Sequence, residues 1–311
     1  MDGIPSDPVT EPRQVEPGDV VFSTTRTIAR LYLLRPDPEL VDAVRYVLGH
    51  YARLHGIVLY AACLLSTHLH LVYRDTRGEG PYFLRDAHRA IANVVKALRG
   101  WRGSVLEEHP NETRLLTLEA IADKIGYVLA NPVAAGAVRY ARDWPGLRSR
   151  VDEMGRGARI VERSRLYFDP KGDMPPRATL HFELPAELVA VHGEDETRAR
   201  LVRSCVEHER EARAEIELEG WRVLGAERCL RVSPYRRATA YEVFGALDPT
   251  FATKGGGFEA FDRAVHTVRD FRHRYRERLL RWRAGDRLSP WPVGTFMMRK
   301  LHAVAIDPAP T

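Results

Sequence analysis

Two rhythms of apolar residues alternate along the first half of the chain. Val20 to Thr27 is dense in β-branched residues, which predicts a strand. Asp37-Pro38 then supplies a helix N-cap and a proline at the first helical position. Behind it Leu40, Val41, Val44, Val47, Leu48, Tyr51 and Leu54 recur on one helical face until Gly56 closes the helix. Ile57 to Leu65 is an apolar run of strand length and Thr67 to Arg74 alternates; the short join between them predicts a hairpin. Gly78 to Pro81 breaks the chain. A second amphipathic helix follows, with Phe83, Leu84, Ala87, Ile91, Val94, Val95 and Leu98 on one side, ending at Gly100. Arg114 to Leu116 reads as a short edge strand, and a third helix starts near Thr117 and stops at Asn131-Pro132. The order β-α-β-β-α-β-α predicts a ferredoxin-like α+β sandwich, an antiparallel sheet with helices.

Past Arg148 the rhythm changes. Gly155 to Pro176 reads as a loop-rich linker. Two long charged helices are expected, about Glu194 to Glu219 and about Phe258 to Ala284, separated by a turn-rich stretch holding Ser233-Pro234 and Gly255-Gly256-Gly257. The first of them mixes both charge signs at close spacing and reads as a salt-bridged solvent face. No internal repeat is visible. The predicted organisation is a flexible polar tail over Met1–Gly18, a catalytic domain over Asp19–Ser149 and a C-terminal, mainly helical domain over Arg150–Thr311.

Two short patterns carry chemistry. Thr67-His68-Leu69-His70-Leu71-Val72 alternates, so on a strand His68 and His70 share one face and the leucines the other. Two imidazoles side by side form a two-point grip for a divalent cation, and oxygen ligands must complete it if the ion is magnesium. Tyr127 and Asn131 lie four residues apart and so share a helix face, away from the apolar stripe of Leu118, Ile121, Ile125, Val128 and Leu129. A tyrosine oxygen can carry a covalent intermediate, and the Asn131 carbonyl is an oxygen ligand. Each pattern alone has an ordinary counterpart: two surface histidines on a strand, or a half-buried tyrosine with an asparagine ending its helix. Together they make sense as phosphodiester chemistry, in which a Lewis acid polarises the phosphate attacked by the phenol.

Composition narrows the setting. The chain has 311 residues with 44% hydrophobic content, enough to fill a core. No apolar run reaches membrane-spanning length, and the N-terminus lacks the basic and apolar regions of a signal peptide. The expectation is a cytoplasmic, nucleoid-associated protein with no membrane partner. The three cysteines are widely spaced without Cys-x-x-Cys, which points to neither a disulfide framework nor a zinc finger, and Cys63 reads as a core residue. Lys+Arg number 47 against 42 Asp+Glu, with arginine dominant, a balance compatible with nucleic acid.

Thr-His-Leu-His-Leu-Val resembles the His-hydrophobe-His strand of the single-tyrosine HUH transposases. Tyr127-Val-Leu-Ala-Asn-Pro-Val-Ala-Ala-Gly-Ala-Val138 resembles the tyrosine helix of their REP-associated tyrosine transposase branch, as do Gly136 and the downstream Asp143-Trp144-Pro145. The resemblance covers roughly Asp19 to Ser149. It implies Tyr127 as nucleophile, His68 and His70 as metal ligands with Asn131 as the third, Mg2+ or Mn2+ as cofactor, and single-stranded or hairpin DNA as substrate. It also allows a homodimer in which the tyrosine helix serves the partner's site. Two departures stand out: Thr67 replaces the family's asparagine before the first histidine, and Gly126 precedes the tyrosine, weakening the helix by up to about 1 kcal/mol relative to alanine or letting DNA approach closely. Ser233-Pro234-Tyr235-Arg236 and Pro292-Val293-Gly294-Thr295-Phe296 also recur in longer relatives, without an assigned role.

Candidate DNA contacts lie elsewhere too. Lys124, one turn before Tyr127, can steady the phenolate or the scissile phosphate. Arg89 and Lys96 belong to a basic run on the second helix. Arg272 and Arg276 share a face of the last long helix, suited to a phosphate backbone. Two other readings are weighed against the transposase: a domesticated relative that binds a DNA hairpin without cutting it, and a metal-dependent phosphoesterase that uses water in place of tyrosine.

Overall fold

The computed structural model describes residues 12–164, 167–169, 171–239 and 250–307. Its centre is the expected α+β arrangement. Strand β1 (Val20–Arg26), helix α1 (Pro38–His55), β2 (Ile57–Leu64), β3 (His68–Asp75), α2 (Gly80–Arg99) and β4 (Asn111–Leu115) follow in ferredoxin-like order, and α3 (Leu118–Ala134) comes next. The sheet runs β2-β3-β1-β4, with these neighbours antiparallel. Helix α1 starts behind the extended Asp37 with Pro38 in its first turn and ends at left-handed Gly56. Leu40, Val44, Val47 and Leu48 of its apolar stripe are fully buried, whereas Leu54, predicted on the same stripe, is exposed.

Several boundaries differ from the sequence reading. Helix α3 does not stop at Asn131-Pro132 but continues to Ala134; a proline in the last turn removes only one backbone bond, so the helix tolerates it. Strand β4 begins at Asn111 and is not an edge, because β7 (Phe251–Ala252) pairs parallel to it. The stretch read as a linker contains strand β5 (Ala158–Glu162), which forms a hairpin with β6 (Arg177–His181) just beyond it. The hairpin packs on α1 where Gly49 leaves room: a Cβ there would lie 2.6 Å from the Thr179 carbonyl oxygen.

The C-terminal half is mainly helical: α4 (Ala186–Leu218), α5 (Ala226–Arg231), α6 (Phe258–Arg283) and α7 (Met297–His302). The buried cluster under the sheet continues beyond Ser149 through Leu180, Leu188, Leu201 and Cys229. Of the tail expected over Met1–Gly18, residues 1–11 lie outside the described residues. The remainder is packed, not loose: Gln14 is buried and the Val15 amide donates to the Gly294 carbonyl at 3.0 Å. Among the described residues no helix is long and apolar enough to cross a membrane.

Candidate active site

The alternation of β1 and β3 decides what faces what. His70 lies opposite Thr24 and His68 opposite Arg26. The Thr24 hydroxyl meets His70 Nδ1 at 2.8 Å, and the Thr67 hydroxyl meets His68 Nδ1 at 2.9 Å. Thr67 thus acts as a hydroxyl support for its neighbouring imidazole. The two rings stand edge to face with centroids 4.5 Å apart. With each Nδ1 engaged, each Nε2 is directed elsewhere. His68 Nε2 is 3.1 Å from Asn131 Oδ1. His70 Nε2 is buried and has no hydrogen-bond partner among the described residues. Burial, helped by His68, Arg26 and Lys124, drives the His70 pKa well down, so its imidazole stays neutral.

Helix α3 brings the tyrosine to this face. The half-buried Tyr127 ring lies 5.6 Å from His70 and 6.0 Å from Phe22, centroid to centroid. Lys124 Nζ lies 4.9 Å from both the Tyr127 and the Phe22 ring centroids, and burial lowers its pKa. Asn131, one turn beyond Tyr127, is buried. His68, His70, Tyr127, Asn131 and Lys124 therefore meet within one chain.

Sequence reasoning missed the fourth wall. Helix α4, read as a solvent face, packs along α3 and buries Leu201, Ala212 and Ile216, while its exposed side keeps ion pairs such as Arg203–Glu196 at 2.7 Å. Gly126 is what allows the approach: a Cβ there would fall 2.1 Å from Ser204 Oγ. The close neighbour at Gly126 is thus α4. From α4, His208 stands edge-on to Tyr127 at 6.0 Å and its Nε2 lies 3.1 Å from Asp123 Oδ1. Lys254 also donates to Asp123. These bonds bring the Asp123 pKa down to about 2, His208 contributing most. No local pattern announces a partner 85 residues away.

The remaining basic candidates lie apart. Thr25 points away from His70 to His88 of α2, which places α2, with Arg89 and Lys96, across the sheet from the tyrosine. Arg89 pairs with Asp86 at 3.2 Å, and Lys96 is exposed. Arg99, from the same basic run, is buried in an ion pair with Asp37. Arg272 lines a cavity of about 470 Å3 between α6 and β4, together with Arg13, Asp19, Glu112 and Arg114, and Arg276 is exposed on α6.

Among the described residues no three His, Cys, Asp or Glu side chains converge as metal ligands. A cation here would be held by two imidazoles and an amide oxygen. The donor set suits one: both imidazoles present Nε2, both are supported at Nδ1, and one Nε2 is buried without a partner.

No protein-family model matches this chain, and no curated protein matches it. Among solved structures, it is similar to a REP-associated tyrosine transposase bound to a REP hairpin, at 16% identity and a TM-score of 0.40, over 53% of this chain and 94% of that one. At that TM-score the likeness decides nothing.

Proposed function

We propose that this chain is a single-tyrosine HUH transposase of the REP-associated branch, a metal-dependent enzyme that nicks single-stranded DNA and transfers the strand. The observation that carries the reading is the unpartnered, buried Nε2 of His70 beside Tyr127. A buried imidazole nitrogen without a partner costs roughly 1–3 kcal/mol; His192 Nε2 is likewise unpartnered among the described residues, and what sets His70 apart is that its ring stands beside His68 and Tyr127.

His68, His70 and Asn131 are the proposed ligands for Mg2+ or Mn2+, the two imidazoles favouring Mn2+. The cation supplies Lewis-acid polarisation of the scissile phosphate. Thr24 and Thr67 orient the two rings. Tyr127 is the nucleophile: its phenol oxygen bonds to phosphorus, its proton passes to solvent, and the P–O3′ bond breaks to leave a protonated 3′-hydroxyl. The resulting 5′-phosphotyrosine conserves the linkage, so a 3′-hydroxyl can later rejoin it. Lys124 places positive charge beside the phenol, the sign that favours both the phenolate and the incoming phosphate. The groups proposed to act on the phosphate all lie before Ser149, and α4 adds His208 beside the tyrosine.

The test is covalent trapping. Purified protein is mixed with Mn2+ and labelled single-stranded hairpin oligonucleotides taken from DNA flanking its own gene, and the products are separated under denaturing conditions. The expected result is a protein–DNA adduct in wild type that is absent from Tyr127→Phe and from His68→Ala/His70→Ala. Cleavage without adduct that survives Tyr127→Phe would replace the reading with a hydrolytic nuclease. Binding without cleavage of any strand would leave a hairpin-binding regulator.

A further inference from the structure

The Ser233-Pro234-Tyr235-Arg236 segment has no part in the chemistry above, yet it is firmly placed. After α5 the chain returns to lie against the loop that follows β1. The Tyr32 amide donates to the Arg236 carbonyl at 2.9 Å, and the Ala238 amide donates to the Arg30 carbonyl at 3.0 Å. That loop begins beside the first histidine: Thr27 donates its amide to the Thr67 carbonyl at 2.8 Å. The returning segment is therefore one loop away from His68.

Its aromatic residue is held at both ends. The Tyr235 hydroxyl donates to the Arg99 carbonyl at the end of α2. Its ring stacks on Trp101, centroids 6.2 Å apart and planes 23° from parallel. Trp101 is fixed in turn by its indole N–H, which donates to the Ser104 carbonyl at 2.9 Å. Tyr235 is nevertheless 52% exposed. It is a rigid aromatic surface with little side-chain entropy left to lose on binding. Arg102, Arg236 and Arg237, next to these rings in sequence, are exposed. No ion pair engages any of the three among the described residues. A fixed, exposed ring on a stacked indole, flanked by uncompensated guanidinium groups, suits an unpaired base and its phosphates. Duplex DNA keeps its base faces covered and cannot use such a ring.

We propose that Trp101, Tyr235, Arg102, Arg236 and Arg237 form a platform for single-stranded DNA flanking the strand held at Tyr127. The proposal deepens the transposase reading and rests on it for the identity of the strand. It gives the C-terminal half a direct part in substrate binding.

The test uses the full-length protein and fluorescence anisotropy with a labelled single-stranded oligonucleotide, across a range of salt. Tyr235→Ala should weaken binding about 10-fold, as the loss of one stacked base does. Tyr235→Phe keeps the ring and should stay within about 2-fold of wild type on the same stacking argument. Arg236→Gln/Arg237→Gln, two surface changes that leave the ring stack alone, should reduce the log–log salt slope by about 1.4. Blunt duplex binding should not change with Tyr235→Ala. Covalent trapping is run on the same proteins. If wild type forms the adduct while all variants bind single strands with wild-type affinity and slope, the platform is overturned and the catalytic reading stands. If the variants lose binding but wild type forms no adduct, the platform is supported and the catalytic reading fails. A wild type that binds no single strand overturns the platform.

Discussion

Adjacent threonines on β1 each hold a histidine, and they do so on opposite faces of the sheet. Thr25 bonds His88 Nε2 at 2.9 Å, and Thr24 bonds His70 Nδ1 at 2.8 Å. Burial depresses both imidazoles, His88 to about 4. By hydroxyl partner and neutrality the two pairs are twins, although His70 is buried and His88 half-buried. What separates them is the second ring nitrogen and its company. His70 turns a buried, unpartnered Nε2 towards a face shared with His68, Tyr127, Asn131 and Lys124. His88 has spent its Nε2 on Thr25 and stands on α2 beside a cavity lined by Arg85, Glu107, Glu108 and His109 but by no tyrosine. A threonine-bound buried histidine is therefore not in itself a site; a site requires a donor left unused where other reactive groups converge.

The comparison breaks most easily at the histidines. His70→Ala should lower adduct formation by about 100-fold or more, the scale for loss of a metal ligand's transition-state stabilisation. His88→Gln, which retains a side-chain donor for Thr25, should leave it within about 3-fold on the same scale. Thermal melts report the same contrast without turnover. Mn2+ at about 100 times its Kd should add about 2.7 kcal/mol to wild type and to His88→Gln, and nothing to His70→Ala. Equal responses in the two variants would mean that the faces are not functionally distinct.

The threonines sharpen it at smaller cost to the molecule. Thr24→Val removes the hydroxyl that orients His70 and should cost about 10- to 100-fold in adduct yield. Thr25→Val should leave the yield alone and lower stability by about 1–2 kcal/mol, the cost of an unsatisfied buried group. A catalytic defect in Thr25→Val equal to that of Thr24→Val would show that the sheet, and not one face of it, supports the chemistry.

Much of this comparison was legible in the sequence, because it lies within a few consecutive residues whose period is local. His68 and His70 share a face through strand alternation, and Tyr127 with Asn131 through helical spacing; both conclusions need only the period of the element. The α+β core followed from the same periods. Other parts depend on contacts between distant segments. Thr24 opposite His70 requires the β1–β3 register, which no single strand encodes. His208 reaches Tyr127 from α4, and the polar sequence of that helix concealed a narrow inner face of Leu201, Ala212 and Ile216. Gly126 signalled a weak point in α3 when it marks the contact with α4. The β5–β6 hairpin escaped because β5 is mostly exposed with one buried residue and no clean alternation, and the alternation of β6 spans only Ala178 and Leu180.

The smallest effect tests the silent twin by acid. His88 titrates at about 4 in the folded protein, below the roughly 6.5 of a free imidazole. Between those values the unfolded chain binds the proton and the folded chain does not, so stability falls as pH drops from about 6.5 towards 4 and levels below it. The full shift would be worth about 3 kcal/mol; partial solvent access to the ring reduces the expectation to about 1–2 kcal/mol. His70 tilts the curve in the same direction, so the measurement is a difference: urea unfolding of wild type and of His88→Gln, metal-free, from neutral pH to about pH 4. Glutamine does not titrate, and the variant should lose less stability on acidification by that amount. A flat difference curve would mean that His88 takes up its proton without strain. The Thr25 pair would then be a solvent-accessible contact, and burial would belong to the His70 side alone.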